Sequence, residues 1–409
     1  MKPDFLVSAS APLWRSAFRP FYLFGTAYAV VVMLTASVGY IGLIPAMFAH
    51  PLRWWHGHEM AFGFATAMIV GTLLTALPSW AETPEIKGPR LALLTALWLA
   101  GRVAIACAPF VPGWIVAAAD LALIVALTVM LAPQIVALDD RRYLVLFVVL
   151  AGLFGSNLLY HFGIAAPESG LAERGLRVAV DSIALMFVLK AGVLTPVFTR
   201  NALRERGSAA QVVPSAPLDR LAVGTVLLTA ALEAAGAGRE AVGLGALAAF
   251  AANAARLVRW RGIRVMTVPL VFVMHVAYAW FVLALGLRGV APFWPAVPPG
   301  AWLHAFTIGA IGTMSVGLMV RVVLRHTGRA PTVPPVALLA WAAMFAAAAL
   351  RVGANWAGAP AAWAAGSALA WSLAFALCLA RFAAMLVSPS LPRSAHATLS
   401  DARERRTND

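Results

Sequence analysis

The chain has 409 residues, 62% of them hydrophobic and 12% charged, with a mean hydropathy of +0.83. Soluble domains run at about 45–50% apolar and about 25% charged, so these values exclude a soluble globular enzyme and a disordered chain. The net charge of +14 on so apolar a chain is read as a membrane-orientation signal, with no nucleic-acid partner.

A helix crosses a bilayer with about 20 mostly apolar residues. Twelve such runs follow one another, at roughly 18–41, 57–78, 89–109, 112–132, 142–163, 171–198, 217–236, 240–258, 265–288, 300–324, 333–352 and 360–384. The runs are continuous rather than alternating, which predicts helices and not a closed barrel. The first is too long for a removable signal peptide and lacks its small-residue cleavage site. The expected fold is all-α and polytopic, with about twelve transmembrane helices. Residues 1–386 form one transmembrane domain, and the polar 387–409 form a disordered tail. Alternate loops and both termini carry 23 of the Lys and Arg residues, the opposite loops carry five, and three lie within spans. By the positive-inside rule, both termini are cytoplasmic.

Taken in chain order, the first cluster of chemical interest opens the second span: His56-Gly57-His58-Glu59. Two positions on a helix subtend about 200°, so His56 and His58 point to opposite faces and suit two neighbouring cofactors. His56 and Glu59 are three apart and share a face. Glu59 there either orients an imidazole, carries protons, or is the acid favoured at a helix start. His161 closes span 5 and His304 opens span 10, both on the side of His56 and His58. His275 lies near the middle of span 9, one turn from Tyr278, and His326 falls at the opposite edge. His50 and the tail residue His396 are set aside. Asp181 and Lys190 in span 6 are too far apart to pair, so Arg177, four residues before Asp181, is its expected partner. Lys190 either lines a polar path or snorkels.

A single histidine at a helix end is ordinarily satisfied among lipid headgroups. Several at one membrane level point to a metal site, because intramembrane ionisable groups are costly. Imidazole suits copper, iron and zinc. Without cysteine clusters, haem b and copper lead. Cys107 and Cys378 build no disulfide framework, and no C-x-x-C-H attaches a haem covalently. Spans 2 and 10 also echo each other: His58, Gly63, Met68 and Gly71 share the spacing of His304, Gly309, Met314 and Gly317. Those glycines allow either close helix approach or room for a flat macrocycle.

Several blocks together resemble the NnrS family, in order from about residue 10 to 385. They are Phe18-Arg19-Pro20-Phe21-Tyr22, Trp55-His56-Gly57-His58-Glu59-Met60 with Gly63-Phe64, and Leu97-Trp98-Leu99-Ala100-Gly101-Arg102. Next come Thr195-Pro196-Val197-Phe198-Thr199-Arg200-Asn201, and His275 with Tyr278-Ala279-Trp280. The set closes with His304-Ala305-Phe306-Thr307-Ile308-Gly309-Ala310-Ile311-Gly312 and His326-Thr327-Gly328-Arg329. The resemblance implies a bacterial inner-membrane protein with haem and copper, linked to nitric oxide metabolism and nitrosative stress.

Three functions are compatible with that implication. The first is a redox centre that binds nitric oxide and reduces it to nitrous oxide. Its metal candidates are His56, His58, His161, His275, His304 and His326, with His56, His58, His275 and His304 as the cofactor-binding set. Glu59 and Tyr278 are its catalytic candidates, and Asp181 and Lys190 lie along a polar path. Electrons come from a quinol or a redox protein. The second is a transporter of a metal, haem or metal–nitrosyl species, which twelve spans suit. The third is a sensor of nitric oxide.

Overall fold

The computed structural model describes residues 11–40, 51–139, 141–356 and 360–392. His50, His396 and residues 393–409 of the expected tail lie outside them, while Val387 ends a helix and Ser388, Ser390 and Leu391 of that tail are packed against the rest of the chain. Every long element described is a helix, because backbone N–H and C=O groups in lipid must be satisfied within the segment. In chain order these are α1 (Phe18–Tyr40), α2 (Leu52–His58 running on through Glu59–Ala65 and Thr66–Ala81), α3 (Pro89–Ala106), α4 (Gly113–Val136), α5 (Val145–Ala165) and α6 (Leu171–Glu205). They continue as α7 (Ala216–Ala235), α8 (Arg239–Arg259), α9 (Pro269–Val290), α10 (Ala301–His304, Ala305–Gly312 and Thr313–His326), α11 (Pro335–Gly353) and α12 (Pro360–Val387). Eleven of the twelve are long and apolar enough to cross a membrane. Helix α7 falls short because Asp219, Arg220 and Glu233 occupy its end turns.

The most buried helices are α2, α6 and α10, and the other nine pack around them. Consecutive helices lie side by side, and α12 returns to pack on α1. A joint fixes that closure. Arg19, buried at the start of α1, donates through Nη1 to the carbonyls of Leu386 and Ser388, each at 2.8 Å, and through Nη2 to Ser390 Oγ at 2.8 Å. The Leu391 N–H donates to Thr327 O at 2.9 Å. Gly328 takes a φ of +75°, and a Cβ there would lie 2.3 Å from Leu391 O.

The echo between spans 2 and 10 has a structural counterpart. Each helix widens into a π segment at the residue after its histidine, Glu59–Ala65 after His58 and Ala305–Gly312 after His304. Pro89 and Pro335 open α3 and α11 at the same offset. The paired glycines serve close helix approach. A Cβ on Gly63 would meet the Tyr28 ring of α1 at 2.6 Å, and one on Gly309 the Trp280 ring of α9 at 2.5 Å. No macrocycle is needed to explain them.

Candidate functional site

The chemistry-bearing residues gather where α2 changes from α to π geometry. A π turn displaces the residues beyond it relative to an unbroken helix. Glu59, the first residue of that turn, contacts His58 rather than His56, contrary to the face expected from a regular helix. His58 Nδ1 lies 2.7 Å from Glu59 Oε1. The same carboxylate accepts from Arg102 Nη1 of α3 at 2.5 Å and from the Tyr28 hydroxyl of α1.

The other edge of the His58 ring faces α4 and α5. His58 Nε2 is 3.0 Å from Asp120 Oδ2 and 3.0 Å from Asn157 Oδ1. Asn157 Nδ2 donates to Asp120 Oδ2 at 2.8 Å, and His161 Nε2 lies 3.0 Å from that same oxygen. Arg102 reaches Asp120 Oδ1 with its second guanidinium nitrogen. Tyr160 stacks against His58 at 4.3 Å between ring centres, and Phe62 lies at 4.8 Å. His58, Glu59 and Asn157 have no solvent exposure, and the Asp120 and Arg102 side chains have almost none.

This arrangement is a ready donor set. His58 Nε2, one Asp120 oxygen and His161 Nε2 all lie within 4.8 Å of one another. Two imidazoles and a carboxylate suit a first-row transition ion. With an ion bound, Glu59 would orient the ring, because an Nδ1–H bonded to Glu59 would leave Nε2 as the lone-pair donor. Without an ion, both His58 nitrogens face acceptors, and only a doubly protonated ring satisfies them all. Two carboxylates against one guanidinium leave the cluster one positive charge short of neutral, a charge that either a protonated His58 or a bound cation supplies. The residues present therefore fit a bound cation.

The family comparison now has a site to attach to. A family model for NnrS protein matches residues 12–390, nearly the whole chain. The chain belongs to the NnrS family. No curated protein matches it.

The NnrS-specific blocks fall in separate parts of the molecule. From the W-H-G-H-E-M block, His58 enters the polar cluster while Gly57 packs on Leu176 of α6. His56 turns elsewhere: it and His304 are electrostatic neighbours, and both lie in the field of Arg351 on α11. The Nδ1 of His304 is buried without a well-aligned hydrogen bond, and the Gly300 carbonyl lies beside the ring. From the L-W-L-A-G-R block, Arg102 bridges the two carboxylates, and Trp98 donates to Gly63 O at 3.0 Å. The F-R-P-F-Y and H-T-G-R blocks form the joint between α1, α10 and α12. His326 sits there, 5.6 Å from the Phe18 ring, and is not brought to the other histidines.

His275 and Tyr278 also lie apart from the cluster. His275 Nε2 is 2.8 Å from Thr199 Oγ1 of α6, and Tyr278 OH donates to Asn253 Oδ1 of α8 at 2.6 Å. Asp181 is held by both guanidinium nitrogens of Arg288. Arg177 pairs instead with Glu173 at 2.8 Å and Glu233 at 2.7 Å. The expected Arg177–Asp181 pair is replaced because Arg288 arrives from α9 with a two-point fork. Lys190 stays on α6, partly buried.

Sequence reasoning missed Asp120, Arg102, Asn157 and Tyr28 as site residues. Asp120 carried a usable signal, as a lone acid in the otherwise apolar span Gly113–Val136.

Proposed function

We propose that this NnrS-family chain is a haem- and copper-containing redox protein of the bacterial inner membrane that binds nitric oxide and reduces it to nitrous oxide. The observation that carries the reading is the buried His58–Asp120–His161 donor set backed by Glu59 and Arg102. His58, Asp120 and His161 would hold copper. His304 and its electrostatic neighbour His56 would serve a haem iron. The haem would be b-type, since no attachment motif is present.

When bound, the two metals would supply one-electron chemistry. The balanced conversion takes two nitric oxide molecules, two electrons and two protons to one nitrous oxide and one water. The chain's own residues position and protonate. Glu59 fixes the His58 ring, and Arg102 keeps Glu59 and Asp120 at fixed separation. Tyr28, with its hydroxyl on Glu59, would hand a proton to that carboxylate. Glu59 then delivers the proton to the oxygen released by N–O cleavage.

The test is the purified protein itself. Metal analysis should find copper and iron, and acid–acetone should extract the haem completely. The reduced spectrum should change with nitric oxide, and nitrous oxide should accumulate with an artificial electron donor. Binding of nitric oxide without any nitrous oxide would turn the reading to a sensor or a carrier.

A further inference from the structure

Helix α6 runs for 35 residues with Pro196 inside it. Proline has no N–H, so the carbonyl four residues earlier, Gly192 O, loses its helical partner. Arg256 of α8 supplies substitutes. Its Nη2 donates to Gly192 O and its Nη1 to Val188 O, both at 3.3 Å. Gly192 permits this approach, because a Cβ there would lie 2.3 Å from the guanidinium. Asp219 of α7 holds Arg256 Nε at 2.6 Å through Oδ1. Nη1 also reaches the Tyr278 hydroxyl at 3.3 Å. A guanidinium has five N–H donors, and these contacts use four. One N–H on Nη2 and the second oxygen of Asp219 are left for a ligand.

A cavity of about 190 Å³ opens over this knot. Its apolar lining includes Val193, Val197, Val213 and Trp260, and its polar lining is Arg256 and Asp219 together with Arg200, Arg259 and Ser215. Leu171 to Gly192 covers about 30 Å of helix, the thickness of the hydrocarbon layer. The cavity therefore sits where α6 leaves the apolar core, within reach of molecules dissolved in the bilayer. Trp260 stands 4.5 Å from Tyr278 and 6.3 Å from His275, ring centre to ring centre. Aromatic groups thus run from the cavity into α9.

We infer that this cavity binds the headgroup of a membrane quinol. The headgroup is flat, neutral and apolar at its edges, with two oxygens that are hydroxyls when reduced and carbonyls when oxidised. Asp219 accepts from the hydroxyl, and the remaining Arg256 N–H donates to the carbonyl, so the pair recognises both forms. The ring lies among the valines and Trp260, and the isoprenoid tail leaves through the open side into lipid. The inference rests on the redox reading of the protein and names its electron donor. Quinol oxidation releases two electrons and two protons, the amounts that reduction of two nitric oxide molecules to nitrous oxide and water consumes.

The test uses full-length protein in phosphatidylcholine nanodiscs with a photoactivatable azidobenzoquinone. Labelling should map to residues 192–200, 212–219 and 256–260 and be displaced by decylubiquinol. Val213 is exposed on the cavity wall, so Val213→Trp fills the space without disturbing the helices. It should weaken labelling by about tenfold or more, roughly one decade of affinity. Labelling spread over the lipid-facing helices and not displaced would overturn the site. Displacement by phosphatidylglycerol as readily as by quinol would instead mark a groove for acidic lipid. Labelling is read without nitric oxide. Mapped labelling in a protein that makes no nitrous oxide would therefore sink the redox reading and leave the site standing.

Discussion

His58 Nε2 and Asp120 Oδ2 lie 3.0 Å apart although 62 residues separate them in the chain. The pairing joins the opening of α2 to the first third of the outer helix α4. It turns a histidine at a helix start into one edge of a buried polar cluster.

Asp120→Asn keeps the shape and removes the charge opposite His58 and His161. Copper content should fall to roughly a tenth or less, since losing even a partner that only orients a ligand costs about 10–100-fold in affinity and Asp120 is placed as a ligand itself. Haem content should stay near wild type, which separates metal loss from misfolding. Unchanged copper would move the ion away from this cluster.

His56→Ala and His58→Ala should fail differently, because the two side chains enter different surroundings. The His56 variant should lose mainly haem absorbance, and the His58 variant mainly copper. Metal analysis alongside the reduced spectrum checks both at once. Equal loss of both metals in both variants would mean one shared centre.

Glu59→Gln preserves hydrogen-bonding shape and removes the titratable proton. It should keep both metals and still give a nitric oxide spectrum, while nitrous oxide production drops about 100-fold or more, the usual scale for a lost general acid. Loss of copper instead would make Glu59 chiefly an orienting partner for His58, and the proton route would have to run elsewhere.

The arginine distribution gives an orientation that fusions can read. Reporters after residues 50 and 295 should read periplasmic, and those after 85 and 210 cytoplasmic. The inverse pattern would put the His58 cluster near the cytoplasmic face and the Arg256 cavity near the periplasmic one.

Much of the architecture was legible because lipid demands it. Continuous apolar runs of fixed length have one backbone solution, and all twelve runs correspond to long helices. The divergence of His56 and His58 was equally legible, since it follows from helix rotation alone. What spacing could not supply was the neighbour. Asp120, Asn157 and Arg102 come to His58 from three other helices, and no periodicity says which helices touch. Regular helix spacing sets Glu59 beside His56, whereas a π turn begins at Glu59 and its carboxylate meets His58. Local spacing favours Arg177 as the partner of Asp181, whereas Arg288 comes from α9 with two donors. Pro196 was visible as part of a block, but the guanidinium that answers its freed carbonyl lies 64 residues from Gly192.

The joint between Arg19, Thr327 and Leu391 bears on how the protein can be handled. The last helix ends at Val387, and a cloning junction placed there would look safe. It would delete Ser388, Ser390 and Leu391, stranding a buried guanidinium and freeing the turn at Gly328. Affinity tags and fluorescent partners should therefore be joined after residue 392. A truncation at 387 should yield protein that inserts but melts early in detergent.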